Sequence, residues 1–585
     1  MRRLTLFGRA IDLVEDLVSV VKRTFGLAVN ESDLSHLNLV DFAPPRSVTC
    51  AHCEPEDRCP SYVRLSKWAS DPEFGRMMVS GIDPLIIQAV ATEVALDKLM
   101  PLRESAIRAA DLCTLLEGRS LEDWVNDASR QGGQCRLFLV DYWLLHSFLD
   151  EINEANREAD EDETLKAEFE KILHSGRALL FRRSDGRLVP VAIELAYTQG
   201  EPSQLYMASD PSTVWLAAKL IFLSVQSGYH QLVSHFVRTH ACTEPYLIAL
   251  RRQLSPTHPI FRLLVPHTRY TLPINAAARS LLINKGGVIE STFSPGSFSM
   301  RLSAHVYGAT WQFKDEGLAA DLRKRGFPTS AEGLAEFGLE YPYAEDGLLI
   351  WDALSEYFSD YVAYYYKSDE EVLEDARLQA WWNDVRANGH PDVTNGWIDL
   401  TSRDALVEIC STIAWVASAH HAAVNFGQYD YSAWPVSHSS LCRMRAPARG
   451  SDAWTRLAQL DGFYANYMEA AEKELLRYVS PPAVATKVMS TVKLLSAHAE
   501  DEKYLTAEGE RMEWLPLSQD PGLKAIFARF HRRMKEIDDI IDKRNADSRN
   551  LARTLDAGGL PYTLLRPTSE VPGVSFRGVP FSISI

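Results

Sequence analysis

Three histidines stand five residues apart in the stretch HQLVSHFVRTH, at positions 230, 235 and 240. In an ordinary α-helix, five residues turn a side chain about 140° away, so these imidazoles would face different directions. A π-type turn, with backbone hydrogen bonds from residue i to residue i+5, brings such positions onto one face, and such turns are frequent at functional sites. The spacing therefore predicts a π-type turn within a long helix and imidazoles close enough to share a metal ion.

Two further groups could complete such a site. His421 and Asn425 are four residues apart in AHHAAVNFGQY, so they project from the same face of an α-helix. The sequence finishes with FRGVPFSISI, and its apolar last residue, Ile585, favours burial. A buried α-carboxylate is an uncompensated charge, and a metal cation would compensate it.

The donor types narrow the choice of metal. Imidazole nitrogens with one amide oxygen, one carboxylate and no thiolate suit iron or manganese better than structural zinc. The HExxH pattern of zinc hydrolases is absent from the sequence. The alternative is that His235 and His240 are core histidines with ordinary hydrogen-bond partners. We expect His230 and His420 to be structural or to support a ligand rather than to bind the metal.

Composition excludes several other classes. The formal net charge of −17 argues against nucleic-acid binding, and it leaves at most peripheral contact with anionic membranes. The eight cysteines are too scattered for a disulfide framework. Cys50, Cys53 and Cys59 could form half of a zinc site or a surface loop, and no second half follows. The start has no signal peptide and the apolar runs are too short to span a membrane, so a cytoplasmic location is expected.

The hydrophobic pattern predicts a mainly α protein with small β-sheet elements. RALLFRRSDGRLVPVAIEL, at 177–195, predicts a hairpin around Ser-Asp-Gly. Long helices follow to about residue 545, and the most apolar runs, WLAAKLIFLSV and ICSTIAWVASA, predict buried core helices. Residues 1–60 form a segment of unclear role, and residues 61–585 are expected to form one large domain. The predicted helices are 211–252, 346–366, 369–386, 402–427, 453–475, 481–499 and 521–544.

The complete set of motifs resembles the lipoxygenase family. Residues 230–279 are similar to a nearly continuous family signature, and further blocks follow in the family's order. The resemblance covers roughly residues 60–585 and is greatest to plant-type members. These blocks are WLAAK (215–219), YPYAEDGLLIWDAL (341–354), YYYKSD (364–369), HAAVNFGQY (421–429), LPYTLL (560–565) and FRGVPFSISI (576–585).

The resemblance implies a large helical domain around a metal-bearing helix with a π-type turn. It also implies one non-heme iron per chain, with manganese as the alternative. The implied ligands, which would also be the catalytic centre, are His235, His240, His421, Asn425 and the carboxylate of Ile585. The chain is too short ahead of these ligands for the family's N-terminal β-barrel (PLAT) domain, so we expect none. We expect a monomer.

The implied activity is oxygenation of polyunsaturated fatty acids that contain a cis,cis-1,4-pentadiene. In the family, ferric hydroxide abstracts a hydrogen atom and O₂ adds to the pentadienyl radical. This reaction is part of oxylipin biosynthesis. Linoleate would give the 13S-hydroperoxide. The alternatives are a fatty-acid hydroperoxide isomerase and a non-catalytic lipid-binding protein, and the latter should have lost a metal ligand.

The resemblance also assigns positions around the metal. Two amides, Gln231 and Gln428, match family positions that link a ligand to the substrate cavity. Ala278 matches a position where alanine accompanies S-configured products, and a bulky residue such as Phe293 accompanies 13-oxygenation. The full set expected to position substrate or oxygen is Ala278, Leu282, Ile289, Thr292, Phe293 and Leu495, each of which could instead be plain core packing.

One position departs from the plant-type pattern. Where those members often carry an arginine for the substrate carboxylate, this chain has His438. Arg443 or Arg445 could substitute for it. The direction in which a fatty acid enters therefore does not follow from the sequence.

Overall fold

The computed structural model describes residues 69–91, 106–130, 134–161, 170–435, 437–461, 474–496, 502–506, 520–553, 562–568 and 578–585. The segment 1–60 and its cysteine cluster lie outside the described residues. So do parts of the helices expected at 453–475 and 481–499.

The described residues are mainly α-helical, as the hydrophobic pattern predicts. The helices are α1 (Asp71–Ser80), α2 (Ala106–Leu115), α3 (Leu121–Ala128), α4 (Leu149–Glu161), α5 (Ser212–Tyr229), α6 (Cys242–Gln253), α7 (Pro259–Leu264), α8 (Thr271–Ala278), α9 (Val288–Thr292), α10 (Ser299–Thr310), α11 (Leu318–Lys324), α12 (Ala331–Phe337), α13 (Pro342–Tyr365), α14 (Asp369–Glu374), α15 (Ala376–Asp384), α16 (Arg403–Trp415), α17 (His421–Asn425), α18 (Gln428–Ser432), α19 (Asp452–Gln459), α20 (Pro482–Leu495) and α21 (Pro521–Ala546). Short 3₁₀ turns lie at Trp143–Phe148, Val265–Thr268, Gly296–Phe298 and Phe313–Asp315.

A small antiparallel sheet forms the early part of the fold. Its strands run in the order β1 (Gln88–Ala89), β2 (Leu137–Asp141), β3 (Ser175–Arg182), β4 (Leu188–Ala196) and β5 (Gln204–Met207). The predicted hairpin is confirmed, because β3 pairs with β4 across a turn in which Gly186 has a φ of 86°. Both faces are covered: one packs on the main core and the other on α2 and α3. Coverage on both sides explains why β4 is buried along its whole length.

The helix that carries His235 and His240 passes through the middle of the core. Helix α5 is buried along nearly all its length, as its apolar sequence predicts. It continues directly into a π-helical segment, His230–Ala241, and then into α6. The predicted π-type turn is therefore confirmed. Further π turns lie at Arg279–Ile283, Val385–Gly389 and Val416–His420, which the sequence reading did not anticipate.

Two long helices expected from the sequence are divided in the structure. The stretch 369–386 breaks at Asp375, whose carboxylate caps α15 by accepting from the backbone N–H groups of Arg377 and Leu378. The stretch 402–427 is interrupted by the π turn Val416–His420, immediately before His421. Periodicity marks both as helical, but it does not detect a change of pitch inside a run.

Within the described ranges, no helix is both apolar enough and long enough to cross a bilayer. The described cysteines are all free thiols: Cys113, Cys135, Cys242, Cys410 and Cys442.

A buried ion cluster holds the helix that carries His235 and His240 against the rest of the core. Arg238, in the π segment, donates from Nε to Glu316 Oε2 at 3.1 Å and from Nη2 to Asp321 Oδ1 at 3.3 Å. Arg325 also binds Asp321, at 2.6 Å. Removing one partner of a buried ion pair leaves an uncompensated charge, which is far more costly than losing an exposed pair.

Arg238→Met should therefore lower the free energy of unfolding by about 3–5 kcal/mol, because Glu316 loses its cation inside the core. Arg301→Met, which removes an arginine paired with Glu151 at the surface, should change it by about 0–1 kcal/mol. Denaturant unfolding of both variants in the metal-free state measures the difference. Equal losses for the two would contradict a supporting role for the Arg238 cluster.

Candidate metal centre

Three buried imidazoles converge at one point inside the helical core. The Nε2 atoms of His235 and His240 are 3.2 Å apart, and those of His421 and His240 are also 3.2 Å apart. The candidate ligand atoms of all three residues lie within 4.8 Å of one another. The π segment supplies His235 and His240, while α17 supplies His421 from the opposite side.

Burial keeps the imidazoles of His235 and His240 neutral. It lowers the pKa of His240 to about 4, although the hydrogen bond with Asn275 opposes the shift. Burial also holds the pKa of His235 well below its ordinary value, and the neighbouring His240 and His421 lower it further. At neutral pH these two rings therefore carry lone pairs rather than charges, as metal ligands must.

A metal ion fits this arrangement. Two imidazole nitrogens bound at right angles about 2.1 Å from one ion would lie about 3.0 Å apart, close to the 3.2 Å observed. The Nδ1 atom of His240 faces Asn275 Oδ1 at 3.0 Å, so Nδ1 must carry the proton and Nε2 the lone pair. Lone pairs that meet in a dry interior repel unless a cation lies between them.

Asn425 lies beside the three histidines and is fully buried. Its Oδ1 accepts from Gln428 Nε2 at 2.7 Å, and its Nδ2 donates to the carbonyl of Leu495 at 3.1 Å. These two bonds fix the orientation of the amide. Gln428 thus contacts a candidate ligand directly, in the position expected of it.

The segment 578–585 brings Ile585 to the same place. His267 Nδ1 donates to the carbonyl of Phe581 at 2.8 Å, and the backbone N–H of Phe581 donates to the carbonyl of Lys503 at 2.9 Å. Ile585 lines the cavity beside His235, His240 and Asn425. His267 was missed by sequence reasoning, since a histidine in a loop gives no sign of a partner more than 300 residues away.

Two other histidines, His230 and His420, stand in the same motifs as the candidate ligands. His230 Nε2 lies 2.7 Å from the carbonyl of Val424, next to Asn425, and so ties the π segment to α17. His420 is buried, and neither of its ring nitrogens has a hydrogen-bond partner among the described residues. Neither belongs to the cluster formed by His235, His240 and His421.

Asn275 is a further site residue that sequence reasoning missed. Its Oδ1 lies 3.0 Å from His240 Nδ1, and its Nδ2 donates to the His240 carbonyl at 2.8 Å and to Glu244 Oε2 at 2.8 Å. The residue is buried within α8. An asparagine among alanines in a helix disfavours that helix, which is a signal that could have drawn attention to it.

An apolar cavity opens next to the three histidines. It contains about 1070 Å³ of non-protein space, part of it open to solvent. Among the described residues that line it, none carries a charged side chain unless a histidine is protonated. Its walls come from the π segment, from the stretch between α8 and α9, and from α20.

Four of the six residues expected to position substrate or oxygen line this cavity: Ala278, Leu282, Ile289 and Leu495. Gln231, which was expected to link a ligand to the cavity, also lines it.

The other two residues of that set are placed differently. Thr292 and Phe293 are buried but do not line the cavity. Thr292 is the last residue of α9, and the backbone N–H of Phe293 donates to the carbonyl of Ile289 at 3.1 Å.

None of the residues considered for binding a substrate carboxylate lines the cavity. His438 is buried, and burial lowers its pKa to about 3. The guanidinium of Arg445 lies 4.0 Å from the ring centre of Tyr197, and Arg443 is also outside the lining. The cavity wall is apolar, and among the described residues that line it no side chain supplies a permanent cation.

Comparison with known proteins gives a consistent family match. The family model described as Lipoxygenase matches residues 59–567. The chain is 38% identical to linoleate 13S-lipoxygenase 2-1, chloroplastic, from Solanum tuberosum, over 90% of this chain and 57% of that protein. It is 37% identical to linoleate 9S-lipoxygenase 1 from Phaseolus vulgaris, over 90% of this chain and 59% of that protein. The chain thus spans less than two thirds of the length of these curated relatives.

The fold is also found among solved structures. A calcium-dependent 11R-lipoxygenase superposes with a TM-score of 0.71 at 24% identity, over 95% of this chain and 73% of that one. At this level of identity the likeness establishes the fold.

Asn275→Ala should weaken metal binding by about 10–100-fold, because it removes the acceptor that fixes the His240 ring. Metal content after purification and the rate of metal release to a chelator measure this effect. Asn395→Ala, at an exposed asparagine away from the site, is the matched control. Release from the Asn275 variant at the rate of the unmodified protein would show that His240 is oriented by other contacts.

Proposed function

The chain belongs to the lipoxygenase family, and from this premise we propose that it is a dioxygenase of polyunsaturated fatty acids. The substrate class would be acids with a cis,cis-1,4-pentadiene, such as linoleate. The observation that carries the proposal is a cluster of three buried imidazoles, two of which, His235 and His240, line an apolar cavity. A redox metal beside a hydrocarbon chain is what oxidation of an unactivated lipid requires.

The proposed metal is one non-heme iron, with manganese as the alternative. His235, His240 and His421 would bind it, together with Asn425 and the carboxylate of Ile585. When bound, iron would supply the one-electron oxidant that accepts a hydrogen atom's electron from the bis-allylic carbon of the pentadiene. Nitrogen and oxygen donors without a thiolate suit either metal.

The protein's own part is to hold the lipid chain in place. Leu282 and Leu495 lie in different walls of the cavity, one in the π turn after α8 and the other at the end of α20. Ile289 adds a third apolar contact from α9. Because misplacement of about 1 Å can cost about 100-fold in rate, these side chains would determine which carbon reacts.

The buried amides would keep the ligand geometry constant. Gln428 and the carbonyl of Leu495 hold Asn425 between them, so this ligand is coupled to the cavity wall. Gln231, the second residue of the π segment, lies in the cavity lining. A substrate that displaces Leu495 would therefore also act on Asn425.

The proposed product from linoleate is the 13S-hydroperoxide. Ala278 supports the S configuration, since its methyl group lies in the cavity wall where it would shield one end of the pentadiene from O₂. Support for position 13 is less direct, because Phe293 lies behind α9 rather than in the lining. The similarity to relatives named 13S and 9S is almost equal, so it does not separate these positions.

The extent of the catalytic domain, the oligomeric state and the cellular location are predictions from the sequence. We propose that residues 61–585 form the catalytic domain and that the protein is a monomer. The expected cytoplasmic location also remains a prediction, and the potato relative is named as chloroplastic.

Purified, iron-loaded protein should consume O₂ and form conjugated dienes when linoleate is added. Oxygen uptake and absorbance near the diene band measure both, and chiral chromatography identifies the product. Turnover only of an added hydroperoxide would support the isomerase instead. Tight fatty-acid binding without turnover at full iron occupancy would support a lipid-binding protein. Either result would reject the dioxygenase.

Ala278→Gly should move products toward the R configuration and toward a different carbon, because O₂ gains space at the end of the pentadiene that the methyl group covers. Ala277→Gly, at the neighbouring lining position, is the matched control and should leave the product pattern nearly unchanged. Chiral analysis of both variants gives the answer. An unchanged pattern in the Ala278 variant would remove it from oxygen placement.

A further inference from the structure

Two pairs of polar residues, one on each of two neighbouring helices, form a closed link next to the metal centre. His240 and Glu244 are four residues apart on the chain that runs from the π segment into α6. Asn275 and Arg279 are four residues apart at the end of α8, so they share a face. The two faces meet, and each residue of one pair contacts the other pair.

The inner half of this link fixes a candidate metal ligand. Asn275 Nδ2 donates both to the His240 carbonyl and to Glu244 Oε2, each at 2.8 Å. With its N–H groups held in this way, the amide must present Oδ1 to His240 Nδ1. Glu244 therefore decides which way Asn275 faces, although it does not touch His240 itself.

The outer half fixes a cavity wall. Arg279 binds both oxygens of Glu244, with Nη1 at 2.8 Å from Oε2 and Nη2 at 3.2 Å from Oε1. Arg279 follows Ala278 directly and begins the π turn Arg279–Ile283. That turn presents three consecutive residues, Leu281, Leu282 and Ile283, to the cavity.

The carboxylate of Glu244 is anionic under ordinary conditions. Burial raises its pKa, but the hydrogen bonds from Arg279 and Asn275 outweigh burial, so the pKa is lowered overall. The side chain of Arg279 is 49% exposed and that of Glu244 20%, so the pair adds little to global stability. Its effect is on position, and positions near the reacting carbon need an accuracy of about 1 Å.

We propose that Glu244 is a positioning residue with two targets. Through Asn275 it holds the imidazole of His240, and through Arg279 it holds the wall that begins at Ala278. Metal geometry and substrate position are thereby set by one carboxylate. The second target rests on the proposed dioxygenase function, whereas the first depends only on metal binding.

Two single variants separate the two targets. Glu244→Gln should release bound metal about tenfold faster, at the low end of the range for partners of metal ligands, and should also broaden the product pattern from linoleate. Arg279→Gln should broaden the product pattern while leaving metal release nearly unchanged, because Glu244 still holds Asn275. Asp360→Asn is the matched control: this carboxylate on α13 binds Arg529 on α21 at 2.5 Å, outside the cavity lining, and neither readout should change.

A charge exchange sharpens the test. Glu244→Arg combined with Arg279→Glu restores an ion pair across the two helices but gives Asn275 no acceptor. It should recover the narrow product pattern and keep the fast metal release. Thermal unfolding of every variant shows that the fold is retained.

The outcomes distinguish the parts of the proposal. Metal release and product pattern both unchanged in Glu244→Gln would overturn it. Faster release with an unchanged product pattern would overturn the link to the wall. If the unmodified protein formed no product at all, the dioxygenase function would fail, and the metal-release measurement would still test the link through Asn275.

Discussion

The rest of the site depends on the close approach of three buried imidazoles, those of His235, His240 and His421, in an apolar interior. Each ring gives up hydration, and the Nε2 atoms of His235 and His240 lie only 3.2 Å apart. Such a cluster is costly without a cation between its lone pairs. The surrounding contacts keep it assembled: Arg238 ties the π segment to Glu316 and Asp321, and His230 ties it to the carbonyl of Val424.

Hydrogen bonds also connect the candidate metal ligands to the cavity wall. Asn425 touches the backbone of Leu495, and Asn275 joins His240 to α8, the helix that leads into the cavity wall. Each connection is a buried amide. A buried amide must satisfy both its oxygen and its nitrogen, so it has one stable orientation. These contacts link the candidate ligands to the cavity wall, and among the described residues that line the cavity no side chain is permanently charged.

Much of this was accessible from the sequence, for identifiable reasons. The spacing of His235 and His240 predicted the π segment because no ordinary helix aligns that pair, and the β3–β4 hairpin was evident from its turn residues. The sequence did not reveal the π turns near Leu282 and His421, because no pair of like residues there marks a five-residue spacing. Nor did it reveal Asn275 or His267, whose partners depend on tertiary packing. Thr292 and Phe293 were expected to position substrate or oxygen, yet they are buried outside the cavity lining.

The π turn between His235 and His240 could have evolved from an ordinary α-helix in a single step. Five residues in a π turn cover the arc that four cover in an α-helix, so an α-helix with two histidines four apart could acquire this geometry by gaining a single codon between them. Both rings would keep facing the same side throughout such a step. The backbone carbonyls displaced by the extra residue would be the lasting trace of that event.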